Sequence, residues 1–65
     1  MATFTDPMRA IEEAEFVANK TMQRMYVAEM KSGDVAVFTL REWHANIRDI
    51  LMVLETVVPA THSIF

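Results

Sequence analysis

The only glycine of this 65-residue chain, Gly33, lies between two β-prone runs, and this arrangement constrains the fold more than any other feature. The runs, at 25–30 and 35–40, contain valines, a tyrosine and a phenylalanine, which suit a pleated surface. Between them, serine, glycine and aspartate supply the left-handed or locally hydrogen-bonded conformations that a tight reversal needs. We therefore predict a β-hairpin with strands over about 25–30 and 35–39.

A helix is predicted before the hairpin, over about 7–21. Asp6 can cap free backbone N–H groups, and Pro7 loses no hydrogen bond at the first helical position, where its missing donor would be unpaired anyway. Apolar residues then recur at steps of three and four and form one stripe. Several of them are alanines, which would allow the helix to approach a sheet closely.

A second helix is predicted after the hairpin, over about 40–58. Thr39 and Glu42 have the spacing of a capping box, in which the two side chains satisfy each other's backbone donors. Trp43 and the apolar residues that follow form a continuous helical face, and Pro59 is expected to end the helix. The predicted fold class is thus α+β, one domain over 1–65 in the order α-β-β-α, with a two-stranded antiparallel sheet and a tail at 59–65.

Neither face of the predicted hairpin is polar enough for contact with water. In an antiparallel sheet with one solvent-exposed face, alternate residues are polar. In 25–30 and 35–40, however, both alternating sets of residues are largely apolar. Two helices can cover one face, and the other then needs a second chain or remains exposed. The chain also lacks cysteine and so has no disulfide to stabilise a small core. We therefore expect a homodimer or higher oligomer whose hairpins pair across a two-fold axis.

The expected protein interface is apolar. Methionine suits adaptable binding surfaces and also fills irregular gaps in cores, so a core position stays the alternative for each methionine. The second-helix candidates fall partly outside that helix's main apolar face. The candidates are Met25, Tyr26, Val27, Met30, Val35 and Val37 in the hairpin and Met52, Val53 and Val57 in the second helix.

No residue pattern indicates catalysis, a cofactor or a metal. The two histidines, His44 and His62, are far apart and lack a ligand spacing, so a solvent-facing position is the simpler interpretation. The acidic cluster at 12–15 spreads around its helix and is read as a solvated face, with an acidic contact for a basic partner as the alternative. One glycine cannot form a phosphate-binding loop. We expect a protein that is not an enzyme.

Charge and hydropathy argue against nucleic acid and membranes as partners. The net charge is −3, and the six basic residues are scattered singly, whereas binding to phosphates requires a basic stripe. The longest apolar run, 50–54, is far shorter than the roughly 20 residues that span a bilayer. The first residues carry no basic and apolar leader. The expected location is the cytoplasm.

The sequence also resembles small uncharacterised accessory proteins of bacteriophages. The resemblance lies in the amphipathic first helix, Met25-Tyr26-Val27, the turn at Gly33, Val37-Phe38-Thr39 and Glu42-Trp43. It implies a protein that acts by binding in the host cytoplasm, since many such proteins block a host enzyme or a defence nuclease. The leading hypothesis is a non-catalytic interaction module that inhibits or modulates a host or defence protein. The alternative is a structural or assembly subunit that acts through self-association.

Overall fold

The computed structural model describes residues 2–60, which form a small α+β domain with a four-stranded antiparallel sheet. The strands lie in the order β1-β3-β2-β4 across the sheet. The predicted fold class is confirmed, but the two-stranded sheet and the α-β-β-α order are wrong. The elements are β1 (Ala2–Phe4), α1 (Pro7–Thr21), β2 (Met25–Met30), β3 (Val35–Phe38), α2 (Leu40–Ala45), a 3-10 turn (Ile47–Asp49) and β4 (Ile50–Val57).

The predicted hairpin is present as β2 and β3, with the second strand one residue shorter than expected. Val27 faces Val37 across the pair, and the turn at Gly33 joins the strands. Gly33 has a φ of 99°, in the region that side-chain-bearing residues rarely adopt, and its N–H donates to the Met30 carbonyl at 2.9 Å. The single glycine therefore stands where the backbone requires one.

The predicted first helix is α1, with the expected bounds. The Asp6 carboxylate accepts a hydrogen bond from the Met8 N–H at 3.0 Å, and proline follows the cap. On its inner side, three alanines are fully buried against the sheet, and their lack of bulk brings the helix axis close to the strands. They are Ala10, Ala14 and Ala18.

The second helix is much shorter than predicted. Its capping box is present, because Thr39 Oγ1 accepts from the Glu42 N–H at 3.2 Å and Glu42 Oε1 accepts from the Thr39 N–H at 2.9 Å. The helix ends at Ala45, where the Asn46 side chain donates to the Glu42 carbonyl at 2.8 Å and a 3-10 turn follows. From Ile50 the chain is extended as β4, so the predicted helix over 40–58 is wrong beyond its first turns.

The last described residues leave the sheet after β4. Pro59 therefore follows a strand and does not end a helix. The Ala60 N–H donates to Asn19 Oδ1 at 2.8 Å, which ties this end of the chain to α1. The remainder of the predicted tail, 61–65, lies outside the described residues and includes His62.

The topology places the two helices on opposite faces of the sheet. β1 and β2 are parallel with β3 between them, and β3 and β4 are parallel with β2 between them. In both crossovers, β1–α1–β2 and β3–α2–β4, the chain moves two strand positions across the sheet toward β4. The strands of the first pair, however, are antiparallel to those of the second. Because such crossovers are nearly always right-handed, their helices must lie on opposite sides. Two separate apolar clusters, one on α1 and one around Trp43 of α2, agree with this.

Both faces of the hairpin are therefore covered within the chain. The α1 side holds Val27 and Val37, and the α2 side holds Phe38 with the fully buried Ala28 and Ala36. The prediction that both helices share one face was wrong because the crossover to β4 was not foreseen. An apolar hairpin face thus gives no reason to expect a second chain.

Candidate interaction surface

Strand β4 forms one outer edge of the sheet and carries exposed apolar side chains at its centre. Within residues 2–60 it is hydrogen-bonded on one side only, to β2. Leu51, Met52 and Val53 are 59%, 53% and 41% exposed, and the run from Ile50 to Leu54 contains no charge. We call Leu51, Met52 and Val53, with the outward backbone groups of β4, the β4 edge. An edge strand with an exposed, apolar and uncharged run of this kind is a template for pairing with another strand.

The register shows that the β4 edge is apolar on both faces of the sheet. Met52 lies opposite Glu29 and Val53 lies opposite Ala28. Because neighbouring strand residues point to opposite faces, Met52 is on the α1 side and Val53 on the α2 side. Neither helix covers these two side chains, which lie at the margin of the sheet.

Two irregularities in the β2–β4 ladder shape this edge. Leu54 has no partner between the pairs Val27–Glu55 and Ala28–Val53, and Leu51 has none between Glu29–Met52 and Met30–Ile50. Each is the extra residue of a bulge, which increases local twist. Leu54 packs against the α1-side core, whereas Leu51 is exposed.

Most of the predicted interface residues lie inside the chain. Their apolar character reflects packing against the chain's own helices. These residues therefore give no reason to expect a partner. For the two exposed residues the prediction stays open. Met25, Val27, Val35, Val37 and Val57 are buried in the α1-side cluster, Tyr26 and Met30 are half-buried on the α2 side, and Met52 and Val53 are exposed on β4.

A second feature is a cleft at the end of the hairpin opposite the Gly33 turn. It has a volume of about 720 Å³ and is lined by Gln23, Arg24, Tyr26, Thr39, Leu40 and Arg41. We call it the arginine cleft. Among residues 2–60, its lining includes two arginines and no acidic residue. This cleft was not predicted from the sequence because Arg24 and Arg41 are far apart along the chain. The pairing of the predicted hairpin places positions 24 and 41 at the same open end and could have indicated it.

Packed aromatic rings form the support of the arginine cleft. The Tyr26 and Trp43 ring centroids are 5.6 Å apart, and Trp43 meets Phe38 edge-on at 6.5 Å. Phe38 is fully buried, which anchors this cluster to the sheet. Tyr26, the ring that lines the cleft, is therefore held between the strand and α2.

The described residues show no arrangement for metal chemistry. Within 2–60, no three histidine, cysteine, aspartate or glutamate side chains are placed to hold an ion. His44 is exposed on α2, apart from the arginine cleft lining. In the same part of the chain, neither helix has the length and apolar character needed to cross a membrane.

Comparisons with known proteins do not assign a family. Protein-family models, curated protein sequences and solved structures were compared with the chain, and none of them matches it. The β4 edge and the arginine cleft are therefore the features of residues 2–60 that bear on function.

Proposed function

We propose that this protein is a non-catalytic protein–protein interaction module whose first partner is a second copy of itself, bound through the β4 edge. The observation that carries the proposal is the exposure of Leu51, Met52 and Val53 on an edge strand that, within residues 2–60, pairs on one side only. Unpaired strand N–H and C=O groups next to apolar side chains favour addition of another strand.

An added strand fits this surface better than a docked helix. Met52 and Val53 point to opposite faces of the sheet, so a helix lying on one face would leave the other side chain in water. A strand hydrogen-bonded to β4 places side chains beside both, since cross-strand neighbours meet on each face. It also satisfies the outward backbone groups of β4.

A second copy supplies a strand with the required properties. The added strand must be apolar on both faces and free of charge at its centre, and 50–54 meets both conditions. Across a two-fold axis, the same patch on each chain contacts its equivalent. Antiparallel pairing of β4 with β4 would then join two four-stranded sheets into one of eight strands.

The target beyond the dimer is proposed from the sequence resemblance. Small bacteriophage accessory proteins commonly act by blocking host or defence proteins, and we propose the same role for this chain in the host cytoplasm. An assembly subunit that acts through self-association alone is the second candidate, and the β4 edge favours it equally. Affinity capture from a host lysate separates the two, because a modulator retains one stoichiometric foreign protein and an assembly subunit retains only its own chain.

The dimer is tested by light scattering after size exclusion. We expect a dimer for the wild type at micromolar concentration and a monomer for Met52→Lys, which places a charge at the centre of the β4 edge. Met8→Lys is the matched control, because Met8 is 64% exposed on α1 and should leave the dimer intact. Circular dichroism checks that both variants fold. A monomeric wild type, or a folded Met52→Lys variant that remains dimeric, would contradict the proposal.

A further inference from the structure

We infer that the arginine cleft is a binding site for a phosphate monoester carried on an apolar or aromatic body. Arg24 and Arg41 both line it, and guanidinium groups match the geometry of phosphate oxygens with paired N–H donors. A phosphate monoester carries a charge of about −1.5 to −2 at neutral pH, which two guanidinium groups balance.

The local charge of the arginine cleft is opposite to that of the whole chain. The chain has nine acidic and six basic residues, yet in the part that the structure describes, two of the six bases and none of the acids line this cleft. Glu42 follows Arg41 in sequence, but its carboxylate accepts from the Thr39 N–H in the capping box and does not line the cleft. The cleft therefore has a local positive charge on a chain whose net charge is −3.

Both arginines start from backbone that is held in place. Arg41 lies in the first turn of α2, which the Thr39–Glu42 capping box fixes. Arg24 directly precedes β2, whose first residue, Met25, is buried and paired with Val57. A site built on fixed elements loses less conformational freedom when a ligand binds.

The arginine cleft, whose lining is mostly exposed to solvent, has room for a ligand larger than inorganic phosphate. Its volume of about 720 Å³ lies within the range of about 300–1,000 Å³ found for small-molecule sites. Tyr26 and Leu40 offer an aromatic and an aliphatic contact, while Gln23 and Thr39 offer hydrogen-bonding groups. We therefore expect the phosphate between the arginines and the organic body against Tyr26 and Leu40.

This site is separate from the proposed dimer surface. None of the cleft's lining residues belongs to β4. Loss of ligand binding would leave the β4 proposal intact, and a monomeric wild type would leave the arginine cleft intact.

The test is an NMR titration of the isotope-labelled full chain with free phosphotyrosine, with tyrosine as the phosphate-free control. We expect saturable amide shifts confined to 23–26 and 39–41 with phosphotyrosine, and none with tyrosine. The double variant Arg24→Gln/Arg41→Gln should bind about tenfold more weakly or worse. The matched double variant Arg9→Gln/Arg48→Gln removes the same charge elsewhere and should bind as the wild type does.

Further arms of the titration identify the source of the phosphate. Tighter binding of a phosphotyrosine peptide than of the free amino acid indicates a phosphorylated protein, and tighter binding of a nucleoside monophosphate indicates a small molecule. Inorganic phosphate should bind more weakly than either. Absent or dispersed shifts with every phosphate probe, or equal weakening in both double variants, would overturn the site.

Discussion

Met52 lies directly opposite Glu29 in the ladder between β2 and β4, and more than half of its side chain is exposed to solvent. This pairing makes residue 52 part of an edge strand, where a helix was expected. The exposed apolar surface consequently lies on β4, whereas the sequence predicted it on the hairpin.

Substituting Val37 with lysine should strongly destabilise the protein, because Val37 is 4% exposed beneath α1 and has neighbours in both β1 and β2. A buried charge without a partner costs about 3–5 kcal/mol, and a domain of this size has little stability to spare. Urea denaturation measures the loss. Val58→Lys, at an exposed position beyond β4, should change the free energy of unfolding by about 0.5 kcal/mol or less. Equal stability of the two variants would refute the burial of Val37.

Substituting Ala14 with leucine should destabilise the fold by about 1–3 kcal/mol, because the fully buried methyl group lies where α1 approaches the sheet. A larger side chain must push the helix outward or adopt a strained rotamer. Glu12→Leu introduces the same side chain on an exposed position of α1 and should be close to neutral. The midpoints of urea denaturation compare the two, and a neutral Ala14→Leu would mean that α1 does not pack closely.

Substituting Gly33 with alanine should lower the free energy of unfolding by about 1–3 kcal/mol through backbone strain alone. A Cβ at this position meets no atom within 4 Å, so a steric clash does not contribute, whereas the φ of 99° is unfavourable for alanine. Thermal denaturation measures the effect, with Ser32→Ala in the same turn as the control. If Gly33→Ala were as stable as Ser32→Ala, the turn would have another conformation.

Substituting Thr39 with alanine should lower the free energy of unfolding by about 1 kcal/mol, since the Glu42 N–H loses its acceptor. Thr39→Ser keeps a hydroxyl at the cap and should restore most of the loss. Urea denaturation of the three proteins provides the comparison. An equal loss in both variants would show that the threonine methyl group, and not the capping hydrogen bond, stabilises this position.

The sequence allowed the local elements with strong end signals to be predicted. Asp6 and Pro7 marked the start of α1, and Gly33 marked the hairpin turn, since each signal acts within a few residues. The Thr39–Glu42 capping box also formed, but a capping box fixes only where a helix begins. It says nothing about the end, which Asn46 and the 3-10 turn determine.

Strand β4 was missed because its apolar residues also fit a helical face. Ile50, Val53, Thr56 and Val57 are β-branched and favour a strand, a signal that the helical spacing outweighed. Strand β1 has only three residues, too few to show an alternating pattern. Both strands form by pairing with distant parts of the chain. The β4 edge could therefore not be predicted without the tertiary structure.

Amide hydrogen exchange in β4, measured at high and low protein concentration, distinguishes a dimer paired through the β4 edge from a monomer. In an edge strand, alternate N–H groups point outward and donate to water, and pairing with a second copy gives them carbonyl acceptors instead. We predict that these outward amides of Ile50–Val57 exchange more slowly at high concentration, while those bonded to β2 change little and Met52→Lys abolishes the difference. Outward β4 amides whose exchange rates do not depend on concentration, in a wild type that remains monomeric, would rule out pairing through the β4 edge.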